Sequence, residues 1–158
     1  MHSDKNIFMA EAIKLAADNL VTGKGGPFGA VVVKNGIIVG RGGNSVTSSN
    51  DPTAHAEVNA IRDACKNLNT FQLDDCEIYT SCEPCPMCLG AIYWARPKKI
   101  FYACSKKDAS NAGFDDSFIY EEINIPLSER KIPAHQMMQD EALEVFKNWN
   151  DLENKIEY

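Results

Sequence analysis

Two short motifs in this chain combine residue types that can bind a metal ion and move protons. His55 and Glu57 are separated by one alanine, and Cys85 and Cys88 are separated by a Pro-Met pair. Thiolate and imidazole groups are preferred zinc ligands in proteins. A glutamate beside such an ion can serve as a general acid and base. These four residues are therefore the candidates for metal-assisted chemistry.

The cysteine pair is predicted to lie at the start of a helix. Pro86 is a residue favoured at the first helical position, so Cys85 would be the cap and Cys88 would lie in the first turn. Residues three apart share one helical face, and a helix N-terminus favours the thiolate. Among the three histidines, His2 is terminal and His135 lies within a late strand pattern, which makes His55 the candidate third ligand.

Glu57 and His55 can serve one site only if they lie in the first turn of a helix. In mid-helix, residues two apart point to opposite sides. Asp51 or Thr53 as the cap would begin the helix at the required place. Two thiolates and a neutral imidazole leave Zn²⁺ without net charge, so it acidifies its water less than an all-histidine site does. We therefore predict that Glu57 takes the water proton.

Two other interpretations of the cysteines stay open. One is a structural zinc site with Cys82 as its fourth ligand, in which Glu57 would be dispensable, and the other is a redox pair. The order His-x-Glu followed by Pro-Cys-x-x-Cys favours the catalytic interpretation, because it is the signature of zinc-dependent nucleobase deaminases. The four cysteines outside the motif are interpreted as buried thiols: Cys65, Cys76, Cys82 and Cys104.

The remaining patterns predict an α/β protein. Helices are expected over 8–20, from about Thr53, over 86–96 and over 142–152, with strands over 28–33, 37–39, 77–80, 99–103 and 134–138. Asn35-Gly36 predicts a hairpin between the first two strands. Residues 40–50 are expected to be loop, and 105–130 to be loop with one short helix near Ile119. Helices alternating with strands indicate layers around one sheet. The length of 158 residues fits a single domain, 1–158.

Composition narrows the function classes. The formal net charge is −6, and the C-terminal region is rich in acidic residues, which disfavours nucleic acid as a partner. No apolar run approaches the roughly 18 residues of a membrane span, so no membrane association is expected. The N-terminus lacks the pattern of a signal peptide. We therefore expect a cytoplasmic protein with reduced thiols.

The motifs, together with their flanking residues, resemble those of a known superfamily. Residues 26–30, 50–57, 80–91 and 91–96 are similar to segments of the cytidine deaminase-like zinc deaminases, in the branch that acts on purines and tRNA adenosine. Residues 112–120 and the final Glu157-Tyr158 resemble the guanine deaminase group within that branch. The resemblance covers nearly the whole chain and is weakest between 121 and 150.

The resemblance implies a three-layer α/β/α fold with a five-stranded mixed sheet, and one zinc ion per chain held by His55, Cys85 and Cys88. It implies hydrolytic deamination of guanine to xanthine and ammonia by a zinc-activated water, with Glu57 and Asp116 catalytic. It also implies a homodimer whose C-terminal segment can cross to the partner. The expected substrate contacts are Phe28, Asn44, Ala56, Trp94, Asp116 and Tyr158.

Three alternatives to this function stay open. A tRNA adenosine deaminase would share the zinc motifs but would bind a polyanion. A deaminase of guanosine or a related aminopurine would need a pocket that tolerates ribose. A structural zinc module would bind the metal without turnover.

Overall fold

The computed structural model describes residues 2–158, with side chains described for 6–158. The chain divides into two compact units, the first ending at Asp116 and the second comprising Ser117–Tyr158. The first unit contains α1 (His2–Thr22), β1 (Gly29–Lys34), β2 (Ile37–Gly43), α2 (Val46–Ser49), α3 (Ala56–Leu68), β3 (Cys76–Cys82), α4 (Pro86–Ala95), β4 (Lys99–Cys104) and α5 (Lys106–Asn111). The second contains α6 (Ser117–Ile123), a 3₁₀ turn (Leu127–Glu129) and α7 (Gln139–Asn150).

One mixed sheet of four strands forms the middle of the first unit. The strand order is β2-β1-β3-β4, with β1 antiparallel to both β2 and β3, and with β3 parallel to β4. Asn35 and Gly36 both adopt positive φ, 51° and 77°, as the tight turn between β1 and β2 requires. The predicted hairpin and the mixed sheet are confirmed.

Helices cover both faces of this sheet. On one face Val31, Val33 and Tyr79 form a buried cluster against which Phe8 of α1 packs. On the other face, α3 and α4 enclose a larger apolar cluster: Ala30, Val32, Ala56, Ala60, Ala64, Leu73, Cys76, Ile78, Ile92 and Ala95. The three-layer α/β/α prediction is therefore confirmed.

Helix α3 lies unusually close to β2. A Cβ added to Gly42 would lie 2.2 Å from the carbonyl oxygen of Ala56, and one added to Gly40 would lie 2.5 Å from that of Ala60. Only glycine allows this backbone approach. The loop predicted for 40–50 is wrong in part, because β2 continues to Gly43 and α2 follows within the same stretch.

Other sequence predictions also need correction. The sheet has four strands within residues 2–158 rather than five, and the strand expected at 134–138 does not form. A strand requires a paired neighbour, whereas the second unit is built from helices and loops and Met138 has a positive φ of 52°. In the stretch 105–130, the short helix expected near Ile119 is confirmed as α6, whereas α5 forms where the sequence predicts a loop. No helix in the described part of the chain combines the length and apolar character needed to cross a bilayer.

Candidate metal centre and active site

Helix α3 begins at Ala56, with His55 as its cap. His55 has extended backbone angles, φ −70° and ψ 157°, and Glu57 lies in the first turn. The predicted caps, Asp51 and Thr53, are wrong: the backbone N–H and hydroxyl of Thr53 donate to Oδ1 of Asp51, at 2.8 and 2.7 Å, and form a turn before the helix. The first-turn position predicted for Glu57 is confirmed.

Helix α4 presents its cysteines in the predicted way. Cys85 is the cap, with φ −66° and ψ 168°, and Pro86 begins the helix. The backbone N–H of Cys88 donates to Sγ of Cys85 at 3.5 Å. Both motifs therefore stand at helix N-termini, where unpaired N–H groups favour negative charge.

The two helix starts bring three metal-binding atoms together. Nδ1 of His55 lies 3.6 Å from Sγ of Cys85 and 3.5 Å from Sγ of Cys88. All three donor atoms lie within 4.8 Å of one another. Tetrahedral zinc with ordinary bond lengths would separate a histidine nitrogen and a cysteine sulfur by about 3.6 Å. The geometry therefore fits a zinc ion.

The charge state of Cys85 also fits a cation, whereas hydrogen bonding with Cys85 raises the pKa of Cys88. Hydrogen bonding with Cys88, with a smaller contribution from His55, lowers the pKa of Cys85 to about 4. Hydrogen bonding with Cys85 in turn raises the pKa of His55. A thiolate therefore stands at the start of α4, in the form that binds metals.

Cys82 does not join this cluster. Its Sγ donates instead to the carbonyl oxygen of Ser105 at 3.7 Å, and burial raises the pKa of this thiol to about 11. Among the described residues, the group of His, Cys, Asp and Glu side chains able to hold a metal consists of His55, Cys85 and Cys88. Three protein ligands are the usual number in catalytic zinc sites, which keep one position open.

Glu57 lies beside the metal-binding atoms with its side chain buried. It is 6 % exposed, and its Oε2 lies 3.4 Å from Sγ of Cys88. Its Oε1 accepts a hydrogen bond from the hydroxyl of Thr80 at 3.3 Å. Burial raises the pKa of the Glu57 carboxyl. A carboxyl group so placed can take up a proton next to a metal-bound ligand and release it again.

Asn44 is buried where β2 leads into α2. Its side-chain Oδ1 accepts from the backbone N–H groups of Gly26 and Val46, at 3.1 and 3.2 Å. Its own carbonyl accepts from Nδ2 of Asn19 at 2.8 Å. These bonds fix the side-chain amide and leave its Nδ2 as the atom that can donate to a ligand.

Phe28 and Asp116, both predicted to contact substrate, have different surroundings. The ring of Phe28 meets that of Phe114 edge to face, with centroids 4.9 Å apart. Burial raises the pKa of Asp116, and the charge of Cys85 raises it further. Their roles in substrate binding stay predictions.

A family model for the zinc-binding region of cytidine and deoxycytidylate deaminases matches residues 2–104. The chain belongs to this deaminase family. A guanine deaminase of Bacillus subtilis is 61% identical over 151 residues, covering 96% of this chain and 97% of that protein. The X-ray structure of guanine deaminase from Bacillus subtilis superposes with a TM-score of 0.94 at 60% identity, covering 97% of this chain and 98% of that one.

A second group of relatives in the deaminase family is more distant. The tRNA-specific adenosine deaminase of Buchnera aphidicola (subsp. Schizaphis graminum) is 37% identical over 123 residues, which cover 78% of this chain and 79% of that protein. The family-level resemblance identified from the motifs is confirmed, and so is its emphasis on the guanine deaminase group.

Three further residues of this deaminase are predicted to contact substrate: Ala56, Trp94 and Tyr158. Ala56, between His55 and Glu57, is fully buried as the first residue of α3. Trp94 on α4 is 63 % exposed, and Tyr158 in the second unit is 70 % exposed. Their roles stay predictions.

The deaminase site also involves polar residues that motif reasoning did not select. Nδ2 of Asn59 donates to the carbonyl of Gly43 at 2.9 Å and to Oγ of Ser45 at 3.1 Å, and so ties α3 to the end of β2. Thr80 contacts Glu57. Both residues could have been found from the sequence, because each is polar on a face that is otherwise apolar. Asn59 follows Ala56 by three positions on a helix, and Thr80 follows Ile78 by two positions on a strand.

Proposed function

We propose that this protein is a zinc-dependent guanine deaminase, which converts guanine and water to xanthine and ammonia. The observation that carries the proposal is the buried Glu57 carboxyl group beside three metal-binding atoms whose spacing fits catalytic zinc. The choice of guanine is supported by the 61% identity to a guanine deaminase over 96% of the chain.

In this proposal His55, Cys85 and Cys88 hold one zinc ion per chain. Zinc held by these residues would lower the pKa of a bound water molecule and so supply the nucleophile for the purine carbon that bears the amino group. In guanine this carbon is C2: its bond to the water oxygen forms, its bond to the amino nitrogen breaks, and ammonia leaves. The two thiolates place negative charge next to the site, so a separate proton acceptor is needed.

Glu57 is that acceptor. Its carboxyl group takes one proton of the water and passes it to the ring nitrogen, then takes the remaining hydroxyl proton and passes it to the leaving nitrogen, so that xanthine and ammonia result. Burial raises the pKa of Glu57 and thereby favours the protonated form in which it must act as an acid. The proximity of Oε2 to Sγ of Cys88, 3.4 Å, keeps these transfers next to the metal position.

The base is oriented by residues around the metal centre. Nδ2 of Asn44 donates to the base edge, and Phe28 packs against one side of the purine ring together with Phe114. Asp116 accepts a hydrogen bond from the substrate and assists in proton transfer, a role supported by its raised pKa beside Cys85. Ala56, Trp94 and Tyr158 complete the pocket.

We further propose a homodimer in which the C-terminal segments are exchanged. Within the second unit, large apolar side chains of α7 and its tail are exposed: Leu143, Val145, Phe146, Trp149, Leu152 and Ile156. Within the first unit, Tyr93 and Trp94 of α4 and Tyr102 of the edge strand β4 are exposed as well. Exposed apolar patches of this extent mark interfaces. In this proposal residues 1–158 act as a single deaminase domain, and the C-terminal segment of the partner subunit completes its active site.

The proposed location is the cytoplasm. All six cysteines carry free thiols, which is the expected state in a reducing compartment. The proposed physiological role is purine catabolism or salvage.

A substrate panel tests the function. Ammonia release is measured with guanine, guanosine, adenine, cytosine and tRNA as separate substrates of the zinc-loaded protein. We expect guanine to give the highest kcat/KM, with a KM that changes little with salt because guanine carries no phosphate. The Cys85→Ala variant, which lacks one ligand, is the control and should lose zinc and activity together. Activity confined to tRNA would contradict the proposal and favour the adenosine deaminase alternative.

A further inference from the structure

We propose that Thr80 is a positioning residue for Glu57, and that its hydroxyl group fixes the carboxyl group in the orientation that proton transfer requires. This inference rests on the proposed function, because it concerns the proton carrier of that reaction. It assigns a role to a residue that lies outside the metal ligands and outside the substrate contacts.

The contact joins two elements from different layers of the fold. Thr80 lies on β3, pairs with Ala30 of β1 and is 1 % exposed. Its Oγ1 donates to Oε1 of Glu57 at 3.3 Å, while Oε2 of the same carboxyl group lies 3.4 Å from Sγ of Cys88. The two oxygens therefore differ: Oε1 is held by the sheet, and Oε2 is directed toward the metal position.

The surroundings of Thr80 show why a hydroxyl group there needs an explanation. Residues two apart on a strand face the same side, and Ile78 on that side belongs to the apolar cluster between the sheet and α3. A hydroxyl group in such a layer is unfavourable unless it forms a hydrogen bond. The carboxyl group of Glu57 accepts this hydrogen bond and so satisfies the buried hydroxyl group of Thr80.

Metal binding makes this hydrogen bond more important. A cysteine that binds zinc is deprotonated, so Cys88 has no proton to donate to Oε2 in the loaded enzyme. The Thr80 hydroxyl then remains as a side-chain donor to Glu57. A glutamate side chain has several rotatable bonds, and holding one oxygen restricts the other to the direction of the reacting water.

Matched variants separate the hydroxyl group from the shape of the side chain. Thr80→Val keeps the volume and removes the hydroxyl, whereas Thr80→Ser keeps the hydroxyl and removes a methyl group. We expect Thr80→Val to lower kcat for guanine at least about tenfold, since a hydrogen bond to a charged group is lost. KM and zinc content should stay near the wild-type values. Thr80→Ser should retain most of the wild-type kcat.

Crystal structures of the zinc-loaded variants give a readout independent of turnover. The Glu57 carboxyl group should leave its wild-type position in Thr80→Val and keep it in Thr80→Ser. A wild-type kcat and an unchanged Glu57 position in Thr80→Val would overturn the inference. If Thr80→Val does not fold, Thr80→Ser is compared with Thr80→Ala instead. Both variants lack the methyl group of threonine and differ only in the hydroxyl group. Equal kcat values in that pair would overturn the inference.

The same experiments distinguish this inference from the proposed function. A wild-type protein that releases no ammonia from guanine contradicts the function, whatever the variants do. A wild-type protein that is active on guanine, together with a fully active Thr80→Val variant, contradicts only the role of Thr80.

Discussion

At Glu57 an acidic side chain is buried at the start of a helix, next to the thiol of Cys88. Removing its acid function should therefore separate metal binding from turnover. We predict that Glu57→Gln retains about one zinc per chain and lowers kcat for guanine by about 10²–10⁴-fold, the usual contribution of a placed proton carrier. Zinc analysis and ammonia assays check this.

The matched control for that variant is Glu141→Gln. Glu141 also lies in the first turn of a helix, α7, but is exposed. Its substitution should leave zinc content and kcat unchanged. A Glu57→Gln enzyme with wild-type kcat would be incompatible with the proposed mechanism and would favour a structural zinc module.

Cys82 and Cys104 occupy paired positions on β3 and β4 but differ in environment. Cys82 is buried, whereas Cys104 is exposed, so the prediction that all four cysteines outside the motif are buried is wrong for Cys104, and Cys65 is only half-buried. Burial raises the pKa of Cys82 to about 11, which leaves about one molecule in a thousand as thiolate at pH 8. We predict that iodoacetamide modifies Cys104 at pH 8 and spares Cys82 in the zinc-loaded protein.

Mass spectrometry of peptides sampled over time measures the two alkylation rates. Because the pKa of Cys82 is raised, its rate should increase as the pH rises toward 11, provided that the protein stays folded. Equal rates for Cys82 and Cys104 at pH 8 would show that the thiol of Cys82 is neither protected nor neutral.

At the scale of elements, the sequence predicts where the metal-binding residues lie better than it predicts the bounds of the helices and strands that carry them. Pro86 and the spacing of Cys85 and Cys88 are local signals, and the structure has the predicted helix start. Asp51 and Thr53 satisfy the usual preference for caps, yet His55 occupies the cap position and its side chain forms no cap hydrogen bond. The usual preference for cap residues does not decide where α3 begins, because the imidazole of His55 faces the two cysteines instead of the end of the helix.

The end of β2 could not be predicted from local sequence. Glycine is a poor strand former, so the glycine-rich 40–43 stretch indicates a loop. In the structure these residues pair with β1, for example Gly42 with Ala30, and their missing side chains admit α3. Tertiary contact thus decides the conformation where local preference points elsewhere.

The contact between β2 and α3 gives a prediction at this scale. A Cβ on Gly42 would lie 2.2 Å from the Ala56 carbonyl oxygen and 2.4 Å from the Ala60 nitrogen, so Gly42→Ala must displace the start of α3. We expect a loss of about 1–3 kcal/mol in the free energy of unfolding, and a lower zinc content because His55 moves with the helix. Chemical denaturation and metal analysis measure the two effects.

Gly90→Ala is the matched control for Gly42→Ala. Gly90 lies on α4, and a Cβ added there would meet nothing within 4 Å. Alanine at a helix interior should raise stability by about 0.5–1 kcal/mol without changing zinc content. If Gly42→Ala matched Gly90→Ala in stability and zinc content, the contact would not position the metal-binding helix.

At the scale of the whole molecule, one sequence pattern predicts burial that the second unit does not itself provide. The apolar residues of α7 recur at helical spacing and predict a face buried in a core, yet Val145 and Phe146 of α7 and Leu152 just after it are exposed. A sequence pattern of this kind does not state which molecule covers the face. A second copy of the chain, with its own exposed aromatic residues on α4 and β4, is the proposed partner.

An exchanged tail predicts that two defective chains complement each other. A chain lacking Tyr158 keeps Glu57 but cannot complete its partner's pocket, and we expect a homodimer of such chains to have a raised KM or a lowered kcat. A Glu57→Gln chain keeps its tail but cannot move protons. If tails cross between subunits, a mixed dimer contains one site with both Glu57 and Tyr158, and it should recover activity at that site.

Co-expression of the two chains with different affinity tags, followed by sequential purification, isolates the mixed dimer for ammonia assays. Its activity is compared with that of each parent homodimer at equal zinc content, and light scattering confirms the mass of a dimer. If each tail instead serves its own chain, every site in the mixed dimer carries one defect. Its activity would then be no more than the mean of the two parents, a result that would exclude the exchange while leaving the zinc centre in the first unit as the place of catalysis.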